Sequence, residues 1–488
     1  NLRKDMYYNV QNFSFSNIDK FSTASIVTRL TTDVTNVQNA YQMIIRMAVR
    51  APIMLVFSMF MAFQVNSEMA VIFLAAAPIL GIGLYFIMTH AHPVFEKVFK
   101  TYDKLNNVVQ ENLHGIRVVK SYVRGDYEVE KFGVVNENLK SESEKAFGTA
   151  VLNMPAMQFV MYGTILGILL IGGRLINEGQ MMIGQLTSFL SYVLLILNSL
   201  MMMSNVFLLM TRSLASAERI MEVIDEKIDI TDENAKDIAV AKGEIEFDHV
   251  WFKYKDTAKE YVLSDVSFHI KPGQTVGIIG QTGSSKTTLV QLIPRLYDVT
   301  KGEVKIDGIN VKEYPVRHLR DAVAMVLQKN TLFSGSLIDN LRWGNENATL
   351  DEIKEACQIA CVDEFVDRLA DGYDTEMGQE GVNVSGGQKQ RICIARAILK
   401  KPKVLILDDS TSAVDTATEA KIRSGLAEKL PDMTKIIIAQ RISSVRHADQ
   451  IIIMDRGHVE AIGTHESLLR DNQIYQEIYA SQKEGADL

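Results

Sequence analysis

Long apolar stretches separated by polar ones fill the first half of the chain, and short apolar runs fill the second. Four stretches dominate the first half: Met47–Val65, Met69–His90, Val151–Ile171 and Ile183–Met210. Each approaches or exceeds the ~20 residues with which a helix crosses ~30 Å of hydrocarbon. Four in succession predict an α-helical transmembrane domain. The connection Asn66-Ser67-Glu68 carries no positive charge. The connection between the second and third stretches carries Lys97, Lys100, Lys104, Arg117, Lys120, Arg124, Lys131, Lys140 and Lys145. That asymmetry places the basic connection in the cytoplasm. Helical apolar spacing in FEKVFKTYDKLNNVVQENLHGIRVVKSYV predicts two helices reaching well beyond the bilayer. Residues 1–46 read as amphipathic helix entering the first span.

A polar, acidic stretch, Glu222–Lys242, separates this half from the next. Beyond it, GEIEFDHVWFKY, TVGIIG, VAMVLQ, VLILDD and KIIIAQ are candidate strands alternating with helical segments. They predict an α/β domain around a largely buried sheet. The expected partition is a membrane domain over 1–225, a linker over 226–243 and a second domain over 244–488.

Composition refines this picture. The 488 residues suffice for two or more domains, and the formal net charge of -8 argues against a nucleic-acid binder. Cys357, Cys361 and Cys393 lack CxxC spacing and read as packed, reduced thiols. The opening NLRKDMYYNV has no initiator Met and no apolar signal region.

Candidate chemistry begins at Gly280-Gln281-Thr282-Gly283-Ser284-Ser285-Lys286-Thr287, after TVGIIG and before the helical TTLVQLIPRLY. Strand, loop and helix in that order let loop amides cradle phosphate oxygens, aided by the positive end of the helix dipole. Lys286 then reaches the β- and γ-phosphates, while the hydroxyl of Thr287, beside Thr288, ligates Mg²⁺. Ser285 stands where a glycine usually precedes the lysine. The cradle survives unless that position needs a positive φ.

Five further motifs follow in an order that resembles the ATP-binding cassettes of ABC transporters, over residues 244 to about 455. They are Tyr254 in VWFKY, Gln328 in MVLQKN, Val384-Ser385-Gly386-Gly387-Gln388, Asp408 in VLILDD, and Asp415 in SAVD. The resemblance implies that Tyr254 stacks on adenine, that Gln328 touches Mg²⁺ and that Asp408 holds it through water. In this family two cassettes sandwich two ATP molecules head-to-tail. Ser385, Gly386, Gly387, Gln388 and Asp415 would therefore face the ATP of a partner. The first half resembles the exporter type, which has six spans; the first two are expected to precede the sequence given. Phe13–Phe21 and Glu111–Tyr122 resemble the coupling helices that dock on cassettes, the second on the partner's.

Two positions depart from the family's pattern. Asp409 stands where Glu is usual, and Gln440 where His is usual. Asp is one methylene shorter, which withdraws its carboxylate by ~1.5 Å from the attacking water. Gln can donate a hydrogen bond but cannot become cationic. The expectation is a degenerate, slowly hydrolysing site like that of one subunit in heterodimeric bacterial multidrug exporters. The signature motif would complete the competent site of a different half-transporter. Asn198, Ser199, Ser204, Asn205 and Met201-Met202-Met203 give the last span a weakly polar, deformable lining suited to hydrophobic drugs, lipids or peptides. Alternatives are an exporter-fold importer and a mainly regulatory nucleotide-binding subunit.

Overall fold

The computed structural model describes residues 2–484 apart from 152, 234, 256, 411 and 412, with most of their side chains. The chain divides into two compact units, Asn1–Tyr7 with Ala24–Asp225, and Tyr8–Thr23 with Glu226–Leu488.

In the first unit a helical run over Thr23–Val65 contains two π-helical turns, Arg29–Asp33 and Ile44–Ala48. Asn66 caps the next helix, Ser67–His114, by accepting the Met69 N–H at 3.1 Å. This helix has 48 residues and Ile183–Ile224 has 42. At 1.5 Å per residue they run roughly 72 and 63 Å, about twice the hydrocarbon thickness. Gly125–Val151 packs along Ser67–His114, and Asn153–Asn177 completes the set. Among the described residues three stretches are long and apolar enough to cross a membrane: Thr23–Val65, Gln158–Asn177 and Ile183–Met203. The expected span Met69–His90 lies on helical backbone, but most of its side chains fall outside the described residues, as do those of Ser204 and Asn205.

Close packing holds this unit together. Phe73 stacks on Phe189 with centroids 5.7 Å apart. A Cβ on Gly172 would sit 2.5 Å from Leu186 Cδ1, so a side chain there would require Leu186 to shift. The first π-turn buries Asp33 against the last long helix. There Arg219 Nε donates to Asp33 Oδ2 at 2.9 Å and Ser216 Oγ donates to Oδ1 at 2.9 Å. Arg29 pairs with Glu222 at 2.8 Å in the same seam. The expected helix Glu111–Tyr122 is broken at Gly115, where a short helix, Ile116–Ser121, begins.

The second unit is built on two larger sheets and a separate antiparallel pair of strands. Strands in chain order are β1 (Ile245–Phe252), β2 (Leu263–Ile270), β3 (Thr275–Ile279), β4 (Lys301–Ile306), β5 (Ile309–Asn310) and β6 (Val323–Val326). There follow β7 (Gly335–Ser336), β8 (Glu376–Met377), β9 (Val404–Asp408), β10 (Thr434–Ile438), β11 (Gln450–Asp455) and β12 (His458–Gly463). One larger sheet runs β2-β1-β4-β5; the other runs β12-β11-β3-β10-β9-β6, with β11, β3, β10, β9 and β6 parallel. The separate pair is β7 and β8. All five residues of β9 and of β10 are buried, as expected of parallel strands covered on both faces.

The described residues of 226–243 contain no regular element, yet they are tied down. Asp307 accepts the N–H groups of Ala241, Lys242 and Glu244 at 2.7–2.9 Å, and Val316 N–H donates to Asp232 at 2.8 Å. The short helix Phe15–Lys20, closed at its start by a capping box between Ser14 and Asn17, belongs to this unit. Asn17 Nδ2 donates to Glu226 Oε1 and Lys227 O, Tyr297 Oη donates to Asp19 at 2.6 Å, and the Phe15 ring sits edge-on to Tyr297.

Candidate active site

The phosphate loop lies between β3 and a helix that covers only Lys286–Gln291. The sequence predicts a longer helix through TTLVQLIPRLY. Pro294 removes an N–H and biases Ile293 away from helical backbone, and Arg295 turns to φ 51°. In the loop, Gly283 has φ 87° and Ser285 has φ 70°. The position that the sequence reading left conditional therefore is left-handed, and Ser285 bears the strain a glycine there would not. A Cβ on Gly280 would lie 2.2 Å from Met454 O, so the loop can approach β11 only through glycine.

Lys286 Nζ donates to Gly280 O at 2.8 Å, Gln281 O at 2.9 Å and Ser284 Oγ at 3.2 Å. Burial pushes its ammonium pKa down, against the pull of Asp409 and Asp408. Thr287 Oγ1 donates to Asp408 Oδ1 at 3.1 Å. Asp408 Oδ2 is buried with no hydrogen-bond partner among the described residues, and burial raises the pKa of this carboxyl. A hydroxyl beside a carboxylate with one oxygen free fits Mg²⁺ held by one or two carboxylates plus substrate phosphates. No cluster of three His, Cys, Asp or Glu ligands occurs among the described residues.

Asp409, directly after β9, has φ 49°, a conformation Asp tolerates better than most residues. Gln440 Nε2 donates to Asp409 Oδ2 at 2.8 Å, and Gln328 Nε2 reaches the same oxygen at 3.4 Å. Burial raises the Asp409 pKa while these two amides oppose the rise. Tyr254 is partly exposed, its hydroxyl 2.8 Å from Thr288 Oγ1 and its ring edge-on to Phe252 and Tyr297.

Ser385 is the N-cap of the helix Gly386–Leu399: its Oγ accepts the Gln388 N–H at 3.3 Å, and its own N–H donates to Gln388 Oε1 at 2.9 Å. A Cβ on Gly387 would lie 2.7 Å from Ala413 O. Asp415 caps the helix Thr416–Lys429 by accepting the Thr418 N–H at 2.9 Å, which lowers its pKa. No hydrogen bond among the described residues joins Ser385–Gln388 to the Lys286 loop.

The structure thus gathers Lys286, Thr287, Asp408, Asp409, Gln328 and Gln440 into one linked group, with Tyr254 and Thr288 paired to each other. The signature residues form a separate group. Sequence reasoning missed Gln390, whose buried Oε1 accepts the Ala413 N–H at 3.1 Å, and Tyr297, which bridges Tyr254 to Asp19. A lone buried glutamine inside an apolar helix face was the only signal for the first.

Residues 1–200 match the family described as ABC transporter transmembrane region, and residues 263–412 match the family described as ABC transporter. An uncharacterized ABC transporter ATP-binding protein of Bacillus subtilis, YfiB, is 40% identical over 487 residues, covering 99% of this chain and 84% of the relative. An ATP-dependent lipid A-core flippase of Pseudomonas putida is 33% identical over 463 residues, covering 95% and 76%. Among solved structures, a bacterial Atm1-family ABC exporter with ATP bound is similar at a TM-score of 0.85 and 25% identity, covering 98% of this chain and 84% of that one.

Proposed function

This chain belongs to the ABC transporters as a half-transporter of exporter type, a transmembrane region fused to an ATP-binding cassette, and from that premise we propose that it is the slow-site subunit of a heterodimer. The observation that carries the reading is Asp409 held by Gln440 at the positions that would orient water, while Ser385–Gln388 keep the family's form.

Hydrolysis requires a water in line with the γ-phosphorus and a group to orient it. The Asp409 carboxylate is short, and two amides already occupy one of its oxygens. A displacement of about 1 Å can cost on the order of 10²-fold in rate. Lys286 and the loop amides would hold the phosphates, Tyr254 the adenine, and Thr287, Gln328 and Asp408 the Mg²⁺. When bound, the ion neutralises charge on the β- and γ-phosphate oxygens. Ser385, Gly386, Gly387, Gln388 and Asp415 would serve the partner's faster site.

The cargo we propose is hydrophobic or amphipathic, of the drug, lipid or peptide class, exported across a bacterial cell membrane with the cassette in the cytoplasm. The Met201–Met203 run and the basic 97–145 connection support this. Similarity to a lipid A-core flippase leans toward the lipid end of that class.

The deciding experiment is native mass spectrometry of the full-length complex in detergent. A one-to-one complex with a different half-transporter supports the reading. A stable homodimer with substantial ATPase activity overturns it, because Asp409 and Gln440 would then be catalysing.

A further inference from the structure

The loop after β10 carries Gln440 off the end of the sheet. β10 pairs with β9 as far as Ile438, and Ala439 N–H still reaches Ile278 O at 3.2 Å. Arg441 remains extended, with φ −101° and ψ 130°. The C=O of Gln440 and the N–H of Ile442 therefore face the same way, with no strand beside them among the described residues. The side-chain amide of Gln482 takes that place. Its Nε2 donates to Gln440 O at 2.7 Å, and its Oε1 accepts the Ile442 N–H at 2.9 Å. These are the two bonds that one residue of a neighbouring parallel strand would make.

Gln482 lies in the last helix, Gln473–Glu484. Tyr475, fully buried, seats that helix on the core containing Ile442 and Val445, together with Ile474, Ile478 and Tyr479. Tyr475 Oη and His465 Nδ1 lie 2.7 Å apart, which fixes the helix from a second side. Tyr475, Ile478, Tyr479 and Gln482 follow helical spacing and share one face. The backbone of Gln482 therefore cannot move away without lifting Tyr475 from the core.

We propose that Gln482 is a positioning residue for ATP hydrolysis: it clamps the backbone of Gln440 so that the Gln440 amide stays on the Asp409 carboxylate. The inference rests on placing Asp409 and Gln440 at the water side of the ATP site.

The test uses the full-length complex. Gln482→Met keeps the side chain's length and removes both bonds; Gln482→Glu keeps only the acceptor. Each is made in the natural sequence and in an Asp409→Glu/Gln440→His background. The clamp predicts faster amide exchange over 439–446 in Gln482→Met. It also predicts that the turnover gained by the restoring pair falls on the order of 10-fold, with KM for ATP within about two-fold. Gln482→Glu should fall between. Unchanged exchange overturns the clamp. Faster exchange with unchanged turnover, or a loss of turnover that tracks a rise in KM, overturns the positioning role. If the restoring pair itself adds no turnover, the slow-site reading fails separately. The natural sequence is then already catalysing, the same 10-fold loss must appear there in Gln482→Met, and its absence overturns the inference.

Discussion

The loop around Lys286 and the loop around Ser385 handle nucleotide in the same family, yet this chain builds them to different standards. Near Lys286 the backbone is left-handed at two non-glycine residues, Ser285 (φ 70°) and Asp409 (φ 49°). The Asp408 carboxylate there keeps one buried oxygen without a partner among the described residues. Near Ser385 the backbone is extended (φ −69°, ψ 160°) and enters a helix of 14 residues through a reciprocal capping box. Glycine is retained where Ala413 O leaves no room for a side chain. Left-handed non-glycine backbone falls on the side the chain would use for its own ATP, and a reciprocally capped helix start on the side it would offer to a partner, although Arg391 Nε farther along that helix is also buried without a hydrogen-bond partner among the described residues. The contrast teaches that selection for binding and selection for turnover can act on different faces of one domain.

Several substitutions can break or sharpen that contrast. The largest effect is expected from Ser385→Arg, which under the proposed slow-site reading would obstruct the partner's site and lower ATPase activity of the complex by about 10²-fold. Lys286→Ala should cost less than about 10-fold under the same reading. Equal losses, measured as steady-state phosphate release, would erase the contrast.

Next comes Asp409→Glu with Gln440→His in the Ser385→Arg background. Hydrolysis at the Lys286 site should rise by about 10-fold or more. Single-turnover conversion of bound ATP to ADP reads this directly, and no rise would mean that the two replacements are catalytically neutral.

Ser285→Gly is a smaller test. Removing a left-handed non-glycine residue relieves about 1–2 kcal/mol, offset in part by the flexibility of glycine in the unfolded chain. A net gain of roughly 0.5–1 kcal/mol should appear in chemical unfolding of the cassette transition.

The smallest effect contrasts two carboxylates in opposite senses. The Asp408 pKa is raised by burial, so its ionised form costs stability above the raised value. That cost fades as the pH falls toward the ordinary Asp value of 3.8. Without nucleotide, Asp408→Asn should raise the melting temperature at neutral pH, and the gain should shrink on acidification. The Asp415 pKa is lowered by hydrogen bonds from Thr418, so its stabilisation is present above 3.8 and disappears as the pH falls through the lowered value. Asp415→Asn should therefore lower the melting temperature at neutral pH and have no effect in strong acid. Differential scanning over a pH series separates the two.

Much of this architecture was legible because it rests on local pattern. The buried strands β3, β6, β9 and β10 announce themselves as unbroken apolar runs, and the phosphate loop by its glycines and Lys286. β2, with its alternating burial, carries a weaker signal and is not among the candidate strands, whereas β1, also of mixed burial, is, and β11 is absent from them despite its apolar run. The loop helix was overextended because Pro294 acts on backbone geometry that apolar spacing ignores. The conformation of Ser285 could be posed as a question from sequence, but only the fold answers it. Contacts between distant positions left no trace: Asp33 meets Arg219, and Gln482 meets Gln440, through partners that periodicity cannot pair.

The helix Phe15–Lys20 has a consequence for how the molecule is made. Its partners Glu226, Lys227 and Tyr297 come late in the chain, and Asp19 precedes Tyr297 by 278 positions. At roughly 5–20 residues per second of synthesis, Asp19 waits on the order of tens of seconds for its bond. Phe15 meanwhile lacks the aromatic surface it will cover. The second unit therefore cannot close around this helix until the chain through Tyr297 has left the ribosome, which delays its completion and leaves the helix open to mispairing in the meantime.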